Sequence, residues 1–113
     1  MNKEIEDIFK DFSVDDLKIP IEFLRYKGNA DTYIVYSGLG SSPALASDDK
    51  TDFIEDTYDF HIFSKKNYSK IIKEVKNKLI ENGFTWVEDS PDLYEDDTGF
   101  YSKVITVIKE RTC

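Results

Sequence analysis

Cysteine and histidine are nearly missing from this chain: each occurs once, as Cys113 and His61, in 113 residues. One thiol cannot close an internal disulfide framework or build a cysteine-based zinc site. One imidazole, set between Phe60 and Phe63 with no Ser or Cys nucleophile in a recognisable setting, reads as a strand residue on the less buried face. Long apolar runs are lacking too, and none approaches the roughly 20 residues of a membrane span. The opening MNKEIEDIFKDF has no apolar signal-peptide core, so synthesis in the cytoplasm is expected. Basic charge is in deficit, with 15 Lys and Arg against 23 Asp and Glu and a net charge of −8. A general nucleic-acid binder is excluded on that count, because affinity for phosphates comes mainly from Lys and Arg.

What is present suits one folded domain over residues 1–113: 40% hydrophobic and 34% charged residues, with no linker and no internal repeat. Residues 57–83 organise it. Tyr58, Phe60 and Ile62 alternate with Asp59, His61 and Phe63, the period of a strand burying one face. The period then changes. Tyr68, Ile71, Ile72, Val75 and Leu79 form one helical stripe, opposite Lys70, Lys73, Glu74, Lys76, Asn77 and Lys78. Asn67 is the expected N-cap, and Asn82-Gly83 supplies a left-handed stop.

Around this unit the chain predicts a helix over 3–12, with Ile5, Ile8, Phe9 and Phe12 as its stripe. A strand over 18–26 contains Pro20, which places it at an edge or makes Pro20 its start. Turn residues 27–31 lead to a strand over 32–37, and the two are expected to form a hairpin. Residues 38–56 show no sustained period and read as a long functional loop. Its apolar residues Leu39, Leu45, Phe53 and Ile54 either tuck onto the core or dock on a partner. Strand character resumes over 84–87 and 100–109, separated by an acidic loop over 88–99. The fold class expected is α+β: an antiparallel or mixed sheet of about five strands with two helices packed on one face.

Motifs for chemistry are weak. Gly38-Leu39-Gly40-Ser41-Ser42 lacks the Lys-Ser/Thr of a P-loop and the third glycine of a dinucleotide fingerprint. Asp48, Asp49, Asp52, Glu55 and Asp56 offer oxygen ligands without the order of a calcium loop. Asp92, Glu95, Asp96 and Asp97 offer paired carboxylates without a pocket to separate their pKa values. An enzyme is therefore not the first reading, and no cofactor or metal is expected. Sixteen aromatics, more than a small core easily buries, favour a subunit of an assembly. Lys65, Lys66, Lys70, Lys73, Lys76 and Lys78 gather in and beside the helix, while acids gather in 48–59 and 88–97. Such polarity suits pairing with copies of itself or with a patterned partner. Ordinary solvated faces explain the same charges.

The strings TYIVYSG, ASDDK, TYDFHIFSKKN, ENGF and DLYEDDTGFYSKVI resemble the tail terminator, or tail-completion (tail-to-head joining), family of neck proteins in tailed bacteriophages and prophages of low-GC Gram-positive bacteria. The resemblance covers roughly residues 20–108. It implies a structural virion protein, made in the bacterial cytoplasm, that forms a ring, commonly a hexamer. Such a ring caps the head-proximal end of the tail tube, ends polymerisation of tube protein and meets the head connector or stopper protein. No reaction and no cofactor are implied, and DNA passes without specific binding. Residues expected at subunit or tube contacts are Leu39, Leu45, Asp48, Asp49, Lys50, Phe53, Ile54, Lys65, Lys66 and Lys70. Glu95, Asp96 and Asp97 are expected to face the lumen. The competing readings are a neighbouring head-completion or connector ring and a monomeric acidic protein-binding module.

Overall fold

The computed structural model describes residues 3–43 and 53–112. Its elements are α1 (Lys3–Ile8), β1 (Ser13–Val14), β2 (Leu17–Lys18), β3 (Ile21–Phe23), β4 (Thr32–Pro43), β5 (Phe53–Ser64), α2 (Ser69–Glu81), β6 (Thr85–Asp89), β7 (Leu93–Glu95) and β8 (Phe100–Thr112). β1 and β2 form a separate two-stranded hairpin. The other strands form one six-stranded mixed sheet in the order β3-β4-β5-β8-β6, with β7 also on β8. The fold is α+β and rich in strand, as the alternation and the helical stripe predict. Among the described residues no helix is long and apolar enough to cross a membrane.

Both helices lie on one sheet face because both stripes share one core. Ile5 and Phe9 of the α1 region and Ile71, Ile72, Val75 and Leu79 of α2 are buried with Ile34, Tyr36, Phe60, Ile62, Ile105 and Val107 of the sheet. Each such side chain contributes about 1.5–3 kcal/mol by leaving water. Tyr36 and Phe60 stack at 5.7 Å, and Phe9 meets Phe60 at 5.7 Å. The helix of the central unit ends as predicted. Gly83 takes φ +89°, its N–H donates to the Ile80 carbonyl, and the Phe84 N–H reaches the Leu79 carbonyl. Those paired bonds satisfy carbonyls the helix end would otherwise orphan. At the other end Tyr68 holds the N-cap position, while Asn67 Oδ1 accepts from the Ser69 N–H at 3.0 Å one residue further out.

Residues 88–99, expected as an acidic loop, hold the end of β6 and the short strand β7. Three further expectations change. The first helix stops at Ile8, and Phe9 and Phe12 reach the core from a turn. Asp15 and Asp16, both at positive φ, then make the tight loop that turns β1 back into β2. The expected hairpin between 18–26 and 32–37 is instead a parallel pair, with Ile21 opposite Ile34 and Phe23 opposite Tyr36. β3 is only three residues long, so the chain needs to return just one short strand length, and residues 24–31 suffice. Leu24, at φ +66°, leaves the strand direction while its N–H donates to the Tyr36 carbonyl. Tyr26 folds back inside the return: its hydroxyl accepts from the Ala30 N–H at 3.1 Å. A Cβ at Gly28 would fall 2.2 Å from that oxygen, so a larger residue there would have to displace the Tyr26 ring. Pro20 does precede an edge strand, as its missing N–H requires.

The third change concerns the long loop. Residues 38–43 continue β4 and residues 53–56 begin β5, paired from Gly40 opposite Thr57 to Pro43 opposite Ile54. β8 follows β5 out to Phe53 opposite Thr112. The result is a three-stranded arm beyond the helices, in a molecule 50 Å long and 27 by 23 Å across.

Candidate interaction surfaces

No element among the described residues covers the second face of the sheet. Strand alternation puts Tyr33 and Val35 of β4, His61 and Phe63 of β5, and Phe100 and Val104 of β8 there, all half-buried. The aromatics form one cluster. Tyr33 stacks on Tyr26 at 4.3 Å and on Phe63 at 4.8 Å, Phe100 meets Tyr33 edge-on at 5.5 Å, and Lys65 Nζ sits 5.1 Å over Phe100. Partial burial, the Glu95 carboxylate and Tyr26 push the Tyr33 phenol above its ordinary pKa. His61 stacks on Phe63 at 4.1 Å, with Val35 and Val104 opposite it in register. Its Nε2 is buried without a hydrogen-bond partner, and burial pushes its pKa down against the pull of Asp59. His61 thus lies on the helix-free face, as its alternation indicates.

The arm is the second surface. It pairs through backbone, with a register shift between Gly38 and Gly40 that leaves Leu39 57% exposed. Asp56 ties its strands together: it accepts from Ser41 Oγ at 2.5 Å and from Arg111 Nε at 2.7 Å. Those bonds hold its carboxyl below the usual range, the Ser41 hydroxyl contributing most. Glu55 and Asp56 are neighbours in β5, so they point to opposite faces and cannot jointly wrap a cation. Among the described residues no three His, Cys, Asp or Glu side chains gather to hold a metal. Leu45, Asp48, Asp49, Lys50 and Asp52 lie outside the described residues; Phe53 is placed by its backbone in β5.

The third surface is at the opposite end of the sheet. There Lys65, Lys66, Asn67, Tyr68, Asp92 and Tyr101 line a shallow groove of about 480 Å³. Tyr94 and Tyr101 lie 4.7 Å apart beside it and are about half exposed. Glu95 ends β7, and Asp96 and Asp97 occupy the exposed turn into β8. Three of the six lysines in the cluster that reads as one basic face are matched by carboxylates within the chain. Lys65 lies 3.7 Å from Asp31, Lys70 2.6 Å from Asp15, and Lys76 2.5 Å from Asp89 while also sitting over Trp86.

The structure therefore separates the expected contact residues. Leu39 and Ile54 belong to the arm, while Lys65, Lys66 and Lys70 lie past the other end of β5, roughly 25 Å from the level of Leu39 and roughly 35 Å from Ile54 at the rise of a strand. No protein-family model matches this chain, and no curated protein matches it. The helix-free aromatic face was missed as a surface by sequence reasoning. Its signal was available, since Tyr33, Phe63 and Phe100 share strand parity with His61 once the pairing of β4, β5 and β8 is known.

Proposed function

We propose that this chain is a structural subunit of the phage neck. It forms a ring, hexameric on the family resemblance, that caps the head-proximal end of the tail tube and joins the tail to the head connector. The observation that carries the reading is the division of the surface: among the described residues helices close one sheet face, while no element covers the other face or the arm, both rich in apolar and hydrogen-bonding groups. Such surfaces suit contact with other subunits better than chemistry. In this reading the ring is made in the host cytoplasm and resides in the virion, without cofactor or reaction. Glu95, Asp96 and Asp97 face passing DNA, where like charge keeps phosphates from adhering.

Electron microscopy of particles lacking the gene product tests this. Overlong tails support termination. Tails of normal length without heads point instead to the neighbouring connector ring, the second reading the same resemblance allows. Normal complete virions would refute both.

A further inference from the structure

The arm has two open edges. β4 pairs with β3 only from Ile34 to Tyr36, so among the described residues 38–43 have β5 on one side and nothing on the other. β8 pairs with β6 no further than Ile108, so among the described residues 109–112 have β5 on one side only. Open edges invite pairing, and proteins guard them with charge, proline or shortness. The β8 edge is guarded by Lys109, Glu110 and Arg111. The β4 edge is not: residues 32–47 are sixteen consecutive positions without Asp, Glu, Lys or Arg, in a chain that is 34% charged. Apart from charge, that edge carries the register shift between Gly38 and Gly40 and Pro43 at the end of the described strand.

We infer that residues 38–42 of β4 pair with residues 109–112 of β8 from a second copy of this chain, head to tail. The inference rests on the reading of the chain as a ring subunit. Charge removes one of the three pairings that two edges allow, and the edges left unfilled remove another. Two β8 edges, antiparallel about Glu110, would set Glu110 against Glu110 and Lys109 against Arg111, like charges at every step. Two β4 edges would pair without repulsion, but would leave both β8 edges open and stop at two chains. The β4-to-β8 contact brings no like charges together and fills both edges of every subunit. Both strands run antiparallel to β5, so they run parallel to each other. A rotation about an axis along the arm keeps that direction, and repeating it closes a ring in which the arms form a continuous sheet.

The test uses full-length chains with Cys113→Ser to remove the native thiol. Ser42→Cys and Glu110→Cys are introduced singly and together, and assembled particles are treated with a short bismaleimide. The doubly substituted chain is expected to yield covalent oligomers up to the ring, with each single variant remaining monomeric on denaturing gels. Amide exchange over 38–42 should slow by about tenfold or more on assembly, as new ladder bonds form. Cross-linked dimers from Ser42→Cys alone would overturn the inference in favour of two-fold pairing. So would an uncross-linked double variant in particles whose rings are visible and whose 38–42 amides exchange as in the free chain; the ring reading would then survive. Wild-type particles without a ring would end both.

Discussion

The Tyr68 hydroxyl donates to Asp92 Oδ1 at 2.5 Å, with the Ser102 carbonyl oxygen 3.1 Å away. One side chain at the start of α2 thereby ties the helix to the loop before β7 and to β8. Burial, helped by Asp92, pushes the phenol well above its ordinary pKa, while the Tyr68 bond and Lys103 hold the Asp92 carboxyl below its own.

Tyr68→Phe is expected to lower unfolding stability by about 1 kcal/mol at neutral pH, the net worth of an ordinary hydrogen bond. It should also alter the acid limb. Asp92 has a folded pKa below its unfolded value near 3.9, so its contribution is present above about pH 4 and disappears as pH falls through the lower folded value. Without the Tyr68 bond that limb flattens. Urea melts at pH 7 and pH 3 measure both effects, and an equal loss at the two pH values would contradict the assignment.

His61 makes the opposite half of the titration visible. Burial depresses its folded pKa, so the neutral ring is favoured in the fold while the unfolded chain takes up a proton near pH 6.5. Stability should therefore fall as pH drops through 6.5 toward the folded value. His61→Gln should remove that slope between pH 7 and 5, and NMR titration of the ring should give a midpoint below 6.5. A midpoint above 6.5 would show that Asp59 outweighs burial.

Core and cap predictions concern the central unit. Leu79, fully buried in α2, should cost about 3 kcal/mol as Leu79→Ala, through lost transfer energy and a cavity. Gly83→Ala should cost about 1–2 kcal/mol, because the residue sits at φ +89° and its new methyl would lie 3.0 Å from Lys109 Nζ. Chemical denaturation reads both. A neutral Gly83→Ala would mean that the helix end can relax out of its left-handed turn.

Asp96→Lys with Asp97→Lys reverses charge at an exposed turn, so the fold should change stability by no more than about 0.5 kcal/mol. On the neck-protein reading, assembled particles should release DNA more slowly, with the delay relieved by salt. Ejection at the wild-type rate would count against these carboxylates facing the lumen.

Residues 57–83 were legible because each element buries one face, and burial writes a period into the side chains. The arm was not legible for the same reason. Ser41 and Ser42 lie in a stretch that no described helix covers, so no alternation marks it, and its strands are held by backbone and by Asp56. The parallel placement of β3 was hidden because it depends on Leu24 at positive φ and on Tyr26 filling its own return loop, neither of which leaves a pattern. Of the candidate contact residues, composition could identify the lysines but not their partners. Asp15 meets Lys70 from 55 residues away, and only the packed fold brings the two together.

The order β3-β4-β5-β8-β6 places the last strand in sequence between two made earlier. As the polypeptide emerges from the ribosome, β5 and β6 must wait with their facing edges bare until β8 slides in and joins them. The hairpin of β4 and β5 can form early, but the sheet acquires its interior strand last, so premature association of nascent copies through those waiting edges is the hazard this topology carries.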